Sequence, residues 1–147
     1  MKKKMTIGIL VATLLAGYAS AETYECKVKA RGPDFGWISK TLVFNIPFRF
    51  SKTTVENTLI KATGQTTVHA DLSMYSKKRI TLSWVLKGVL GRNGENLGKF
   101  TYRATILKPS NRISVTARDP GGFSLNGPSL VQGRDAMSAS GKCILHQ

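Results

Sequence analysis

Apolar and polar residues alternate with a period of two along most of the chain, the pattern of half-buried strands. Leu42, Phe44, Ile46, Phe48 and Phe50 alternate with Val43, Asn45, Pro47 and Arg49. Pro47 marks an edge, a bulge or an outward-turned amide within that run. Val68, Ala70, Leu72 and Met74 repeat the pattern, as do Ile80, Leu82, Trp84 and Leu86. Phe100, Tyr102, Ala104 and Ile106 follow, then Ile113, Val115 and Ala117. Tyr24, Cys26 and Val28 form the inner face of a first strand, with Lys27 and Lys29 outside. A further strand is expected through Val55 to Ala62, before a Gly64-Gln65 turn, and Met137 to Ile144 is expected to be the last strand. No stretch between residues 22 and 147 has helical periodicity.

Two of these runs fix a register. If Lys108-Pro109-Ser110-Asn111 is a loop, Ile106 faces Ile113, Ala104 faces Val115 and Tyr102 faces Ala117. The other face then pairs Thr105 with Ser114, Arg103 with Thr116 and Thr101 with Arg118. Every apolar residue falls on one side, as a real hairpin requires. The preceding hairpin needs an odd loop, and Arg92-Asn93-Gly94 fits a three-residue turn with Gly94 left-handed. Trp84 then lies opposite Tyr102, and Lys87 faces Lys99. The segment from Asp119 to Asp135, rich in Gly, Pro and Ser, is read as one short strand or a lid over the end of the domain.

The first 21 residues read as a secretory leader. Lys2, Lys3 and Lys4 form a positive start, Thr6 to Ala16 is a short apolar core, and Ala19-Ser20-Ala21 is a small-residue cleavage site. Tyr18 stands where a lipoprotein box requires Cys, so lipidation is not expected. Residues 22–147 then form a single all-β domain. In an oxidising compartment Cys26 and Cys143 form one structural disulfide, joining the first strand to the last. Successive hairpins with bridged terminal strands predict a small antiparallel up-and-down barrel of seven or eight strands. A β-sandwich with adjacent terminal strands is the alternative. The aromatics Phe44, Phe48, Phe50, Trp84, Phe100 and Tyr102 are expected to fill its interior.

Charge narrows the partners. The 147 residues carry a formal charge of +14, and loss of the three leader lysines leaves +11. Such a surface favours anionic partners. Arg103, Arg112 and Arg118 fall on the outer parity among Thr101, Thr105, Ser114 and Thr116, a pattern suited to phosphate or sulfate groups. Lys27, Lys29, Lys87 and Lys99 extend that patch. Most aromatics lie on the inner parity, so the base stacking that nucleic acid asks for is not expected.

Enzymatic chemistry finds little support in the sequence. Gly88 to Lys99 has the glycines of a phosphate loop without its spacing, and a strand follows where a helix is required. His69 and Asp71 share one face of a predicted strand, but no nucleophile elbow accompanies them and His69 lies on the outward parity. No cluster has zinc or calcium spacing, so no metal or cofactor is expected.

Tyr24-x-Cys26, Gly36-Trp37-Ile38 opening the second strand, Leu82-Ser83-Trp84 and Gly141-x-Cys143 resemble small exported β-proteins of alphaproteobacteria. That resemblance implies a periplasmic β-protein and carries no activity. The terminal cysteines are also similar to those of periplasmic lysozyme inhibitors with a small barrel fold. Their Ser-Gly-x-x-Tyr motif is absent, since Ser140-Gly141-Lys142 stops at Cys143.

The sequence therefore predicts a non-enzymatic, periplasmic or secreted binding module. Its expected ligand is an anionic envelope component: lipopolysaccharide, anionic lipid or acidic polysaccharide. The alternatives are a protein-interaction or structural accessory with an envelope-protein partner, and a carrier of a small apolar ligand. The expected grip is Arg103, Arg112, Arg118, Lys27 and Lys29.

Overall fold

A computed structural model describes residues 21–32, 36–91, 93–118 and 137–147. The leader residues 1–20, Arg92 of the expected turn, and the segment expected as a strand or lid between Asp119 and Asp135 lie outside the described residues.

Among the described residues, nine antiparallel strands make one sheet that curls into a nearly closed barrel, so the sandwich alternative does not apply. They are β1 (Glu22–Ala30), β2 (Thr41–Ile46), β3 (Thr54–Asn57), β4 (Val68–His69) and β5 (Asp71–Tyr75). β6 (Arg79–Lys87), β7 (Lys99–Leu107), β8 (Arg112–Arg118) and β9 (Met137–His146) complete the set. β1 lies between β2 and β9, and from β9 the sheet runs back through β8, β7 and β6 to β5.

Closure depends on one stretch of chain. β4 pairs with β3 and β5 pairs with β6, yet only Ala70 separates β4 from β5. The Ala70 amide donates to the Thr53 carbonyl at 2.9 Å, turning the chain from one edge to the other. The two labelled strands therefore act as one, and the barrel has eight walls.

The predicted hairpin register is reproduced in full. Ile106 pairs with Ile113, Ala104 with Val115, Tyr102 with Ala117, Thr105 with Ser114, Arg103 with Thr116 and Thr101 with Arg118. Trp84 pairs with Tyr102 and Lys87 with Lys99. Gly94 has φ +79°, and the Gly91 amide donates to the Glu95 carbonyl at 2.8 Å. Cys26 and Cys143 are directly opposed on β1 and β9 and joined by a disulfide.

Side chains fill the barrel interior. Trp84 stacks on Tyr102 with ring centroids 5.1 Å apart and meets the edge of Phe44 at 5.6 Å. Trp37 stacks on Phe100 at 4.8 Å, and the Tyr102 hydroxyl donates to the Trp37 carbonyl. Burying each such side chain contributes roughly 1.5–3 kcal/mol.

Four expectations are corrected. β2 stops at Ile46, so Phe48 and Phe50 are outside the barrel, 76% and 44% exposed. Pro47 has no amide to continue the ladder, and residues 50–52 form a 3-10 turn instead. The strand expected to reach Ala62 ends at Asn57, where helix α1 (Thr58–Ala62) begins. The Asn57 side chain accepts the Ile60 amide at 2.8 Å, an N-cap that turns the chain and buries Ile60. Trp37 and Ile38 precede β2 rather than open it, packing onto the core from the loop. Finally, a register shift between Leu72 and Met74 leaves Met74 exposed although its parity pointed inward.

Candidate functional site

Strand pairing places the outward residues of β1, β9 and β8 in rows. Lys27 pairs with Lys142, and Lys142 pairs with Arg112. Two residues along the strands, Lys29 pairs with Ser140 and Ser140 with Ser114. Beyond that the Arg31 amide donates to the Ser138 carbonyl at 2.8 Å, and Ser138 pairs with Thr116. Neighbouring strands are about 4.8 Å apart and alternate residues about 6.6 Å. The nine positions thus form a grid of about 10 Å by 13 Å.

Five of the nine are cations (Lys27, Lys29, Arg31, Lys142 and Arg112), and four carry hydroxyls. None is acidic. Among the described residues, no ion pair involves any of the five cations. The described acids are occupied elsewhere. Glu22 meets Lys108 at 3.4 Å, Glu56 meets Lys61, and Asp71 meets His69. Glu25 faces His146 at 3.4 Å and borders the grid beside Lys27, while the Glu95 carboxylate accepts the Asn93 amide at 2.9 Å.

Like charges directly opposite on neighbouring strands are destabilising. The Lys27–Lys142–Arg112 row holds three of them, and the acid that borders it, Glu25, faces His146. The Arg31 Nε donates to Ser140 Oγ at 2.9 Å, which aims the guanidinium across the middle row. The Arg31 guanidinium and the Ser140 hydroxyl thus meet on adjacent walls, an arrangement able to satisfy several oxygens of a phosphate, sulfate or carboxylate.

The predicted grip is divided by this geometry. Lys27, Lys29 and Arg112 belong to the grid. Arg103 pairs with Thr116 from β7, one strand farther round, so it joins the row that ends at Arg31. Successive walls of an eight-walled barrel turn roughly 45° apart, which separates Arg103 from Lys27 by roughly 135°. Arg118 is six residues along β8 from Arg112, about 20 Å away. It neighbours Thr101, two residues from the Lys87–Lys99 pair.

Lys142, Arg31, Ser138 and Ser140 are members that the sequence reading missed. Their signal was present in the disulfide. With Cys26 opposite Cys143, stepping outward along both strands brings Lys27 to Lys142 and Lys29 to Ser140. Gly141 sits between these positions on the inner face, where an added Cβ would fall onto the Lys27 carbonyl. Its bare backbone lets β1 and β9 approach closely.

His69 and Asp71 do form a pair, His69 Nε2 to Asp71 Oδ1 at 3.1 Å, with the Asp71 side chain 80% exposed. They border an open depression of about 230 Å³ also lined by Phe50 and Ser51. No hydrogen bond joins Ser51 to His69 among the described residues, and the pair is solvated. No group of three or more metal-ligating side chains occurs among the described residues. No described helix is long and apolar enough to cross a membrane.

No known protein family, curated protein or solved structure matches this chain.

Proposed function

We propose that this protein is a non-enzymatic, exported binding module for an anionic envelope component, acting in the periplasm or the surrounding medium. Lipopolysaccharide, anionic lipid and acidic polysaccharide share the required chemistry, closely spaced anionic oxygens. The observation that carries this reading is the grid on β1, β9 and β8: five cations among hydroxyls, with no acid in the grid. An ordinary solvated sheet face would intersperse both signs of charge. The disulfide across β1 and β9 suits an oxidising compartment and ties together two of the strands that bear the grid.

The test is binding of oxidised protein to lipopolysaccharide, anionic vesicles and a uronic-acid polysaccharide at low and high salt. The variant Lys27→Ser/Arg112→Ser/Lys142→Ser is expected to lose most of the affinity for the preferred ligand. Lys99→Ser/Arg103→Ser/Arg118→Ser, which removes the same three charges elsewhere on the barrel, is expected to lose much less. Equal losses from the two variants would reduce the face to general electrostatic attraction and defeat the proposal.

A further inference from the structure

The barrel has a second surface of different character, at the end carrying the short connections. Residues 47–53, 76–78 and 108–111 join strands there, and Glu22 begins β1 beside them. Contacts lock these pieces together. Phe50 packs on Tyr75 with ring centroids 4.8 Å apart, and Lys108 Nζ sits 3.9 Å above the same Tyr75 ring. The Lys108 amide donates to the Lys78 carbonyl at 3.0 Å, and Lys108 Nζ reaches Glu22 at 3.4 Å. Thr53 clamps the first loop through its amide and its hydroxyl, both donating to the Phe50 carbonyl.

Phe48 lies in the first of these connections, 76% exposed. No ring contact engages it among the described residues. At the same end of the barrel are Arg49, Lys52, Lys77, Lys78 and Arg79, all exposed. The described acids nearest this end are already engaged, Glu22 with Lys108 and Asp71 with His69. A clamped loop that holds a phenylalanine in water among cations gains nothing for folding.

We propose that this end docks onto an anionic phospholipid bilayer surface, with Phe48, backed by Phe50, entering the interfacial layer and the surrounding cations meeting the headgroups. The inference deepens the anion-binding reading by naming the anionic class, but it rests on different residues. A soluble polyanion has no use for an exposed phenyl ring, whereas the headgroup–acyl boundary takes it up. Nucleic acid would ask for free ring faces on which bases stack, and Phe50 already packs against Tyr75. Each basic residue held near an anionic surface raises partitioning about fivefold. The clamped loop arrives preorganised, so little ordering is lost on insertion.

The experiment measures partitioning of oxidised protein onto phosphatidylglycerol–phosphatidylcholine vesicles and onto pure phosphatidylcholine vesicles. Dextran sulfate and single-stranded DNA serve as soluble polyanions. Phe48→Ser is expected to lower partitioning onto the anionic vesicles about tenfold and to leave dextran sulfate affinity unchanged. Because Phe48 is largely exposed and lies outside the core cluster, its loss does not threaten the fold. Phe48→Trp is expected to show emission quenched by brominated lipid. Unchanged vesicle binding by Phe48→Ser overturns the proposal, and so does loss of DNA affinity alone, which would make the tip a nucleic-acid contact. The Lys27→Ser/Arg112→Ser/Lys142→Ser variant separates the two readings. If it keeps its dextran sulfate affinity while Phe48→Ser loses vesicle binding, the face reading fails and the tip stands.

Discussion

Removing the disulfide with Cys26→Ala/Cys143→Ala tests how the barrel is held closed. The bridge spans 117 residues of sequence, nearly the whole described domain. In the chain-entropy account, a loop of that length removes unfolded-state entropy worth about 5 kcal/mol at 25 °C. The folded state retains the eight register pairs of β1 with β9 and the six of β9 with β8. The variant is therefore expected to keep its topology and lose stability through the unfolded chain. A small domain has about 5–15 kcal/mol in all, so the variant becomes marginal. Urea unfolding followed by tryptophan fluorescence reads this directly, because Trp84 and Trp37 are stacked on aromatic partners in the core. With a slope of about 1–3 kcal/mol per molar urea, the midpoint is expected to fall by about 2–5 M. A fall of less than about 0.5 M with an unchanged slope would show that the bridge contributes little. It would mean that strand pairing alone closes the barrel.

Three further outcomes follow from the geometry. Gly141→Ala places a methyl group on the Lys27 carbonyl and is expected to cost about 1–3 kcal/mol; Ser140→Ala, pointing outward on the same strand, is the control, and equal melting temperatures would contradict the close approach. Lys142→Gln relieves like-charge repulsion from Lys27 and Arg112, so it is expected to raise the urea midpoint in low salt, to lose that gain in high salt, and to weaken anion binding. Burial holds the hydroxyls of Tyr24 and Tyr102 well above the usual tyrosine range, and a hydrogen bond to Glu22 adds to the effect at Tyr24. Their protonated forms belong to the folded state, so this contribution is complete below about pH 10 and is lost as pH rises beyond it. Denaturation midpoints should fall above that pH, less steeply in Tyr24→Phe, and a flat profile in the parent protein would contradict the burial argument.

The sequence was most legible where pairing is local. The β7–β8 hairpin came out residue for residue, because a four-residue loop and the rule of one apolar face leave a single register. Phe48 and Phe50 misled for the opposite reason: period-two alternation continues past Pro47, but the backbone ladder cannot. Helix α1 has five residues, too few to display a helical period, and only Asn57 ahead of Thr58-Leu59-Ile60 hinted at it. The turn at Ala70, which lets one stretch serve both edges, has no local signal because its cause is the distant Thr53 carbonyl. The basic grid was half legible. Parity alone placed Lys27, Lys29 and Arg112 outside, whereas Lys142 and Ser140 required the long-range register that the disulfide supplies. Grouping the arginines by parity also ignored barrel curvature, which carries Arg103 around the wall from Lys27.

The most direct test of the anion-binding face is a backbone amide NMR titration of oxidised protein with a short, soluble uronic-acid or sulfated oligosaccharide. Shift changes are expected at residues 27–31, 112–116 and 138–142, weakening with salt and absent in Lys27→Ser/Arg112→Ser/Lys142→Ser. Shift changes scattered over all exposed lysines and arginines, or centred away from β1, β9 and β8, would contradict it.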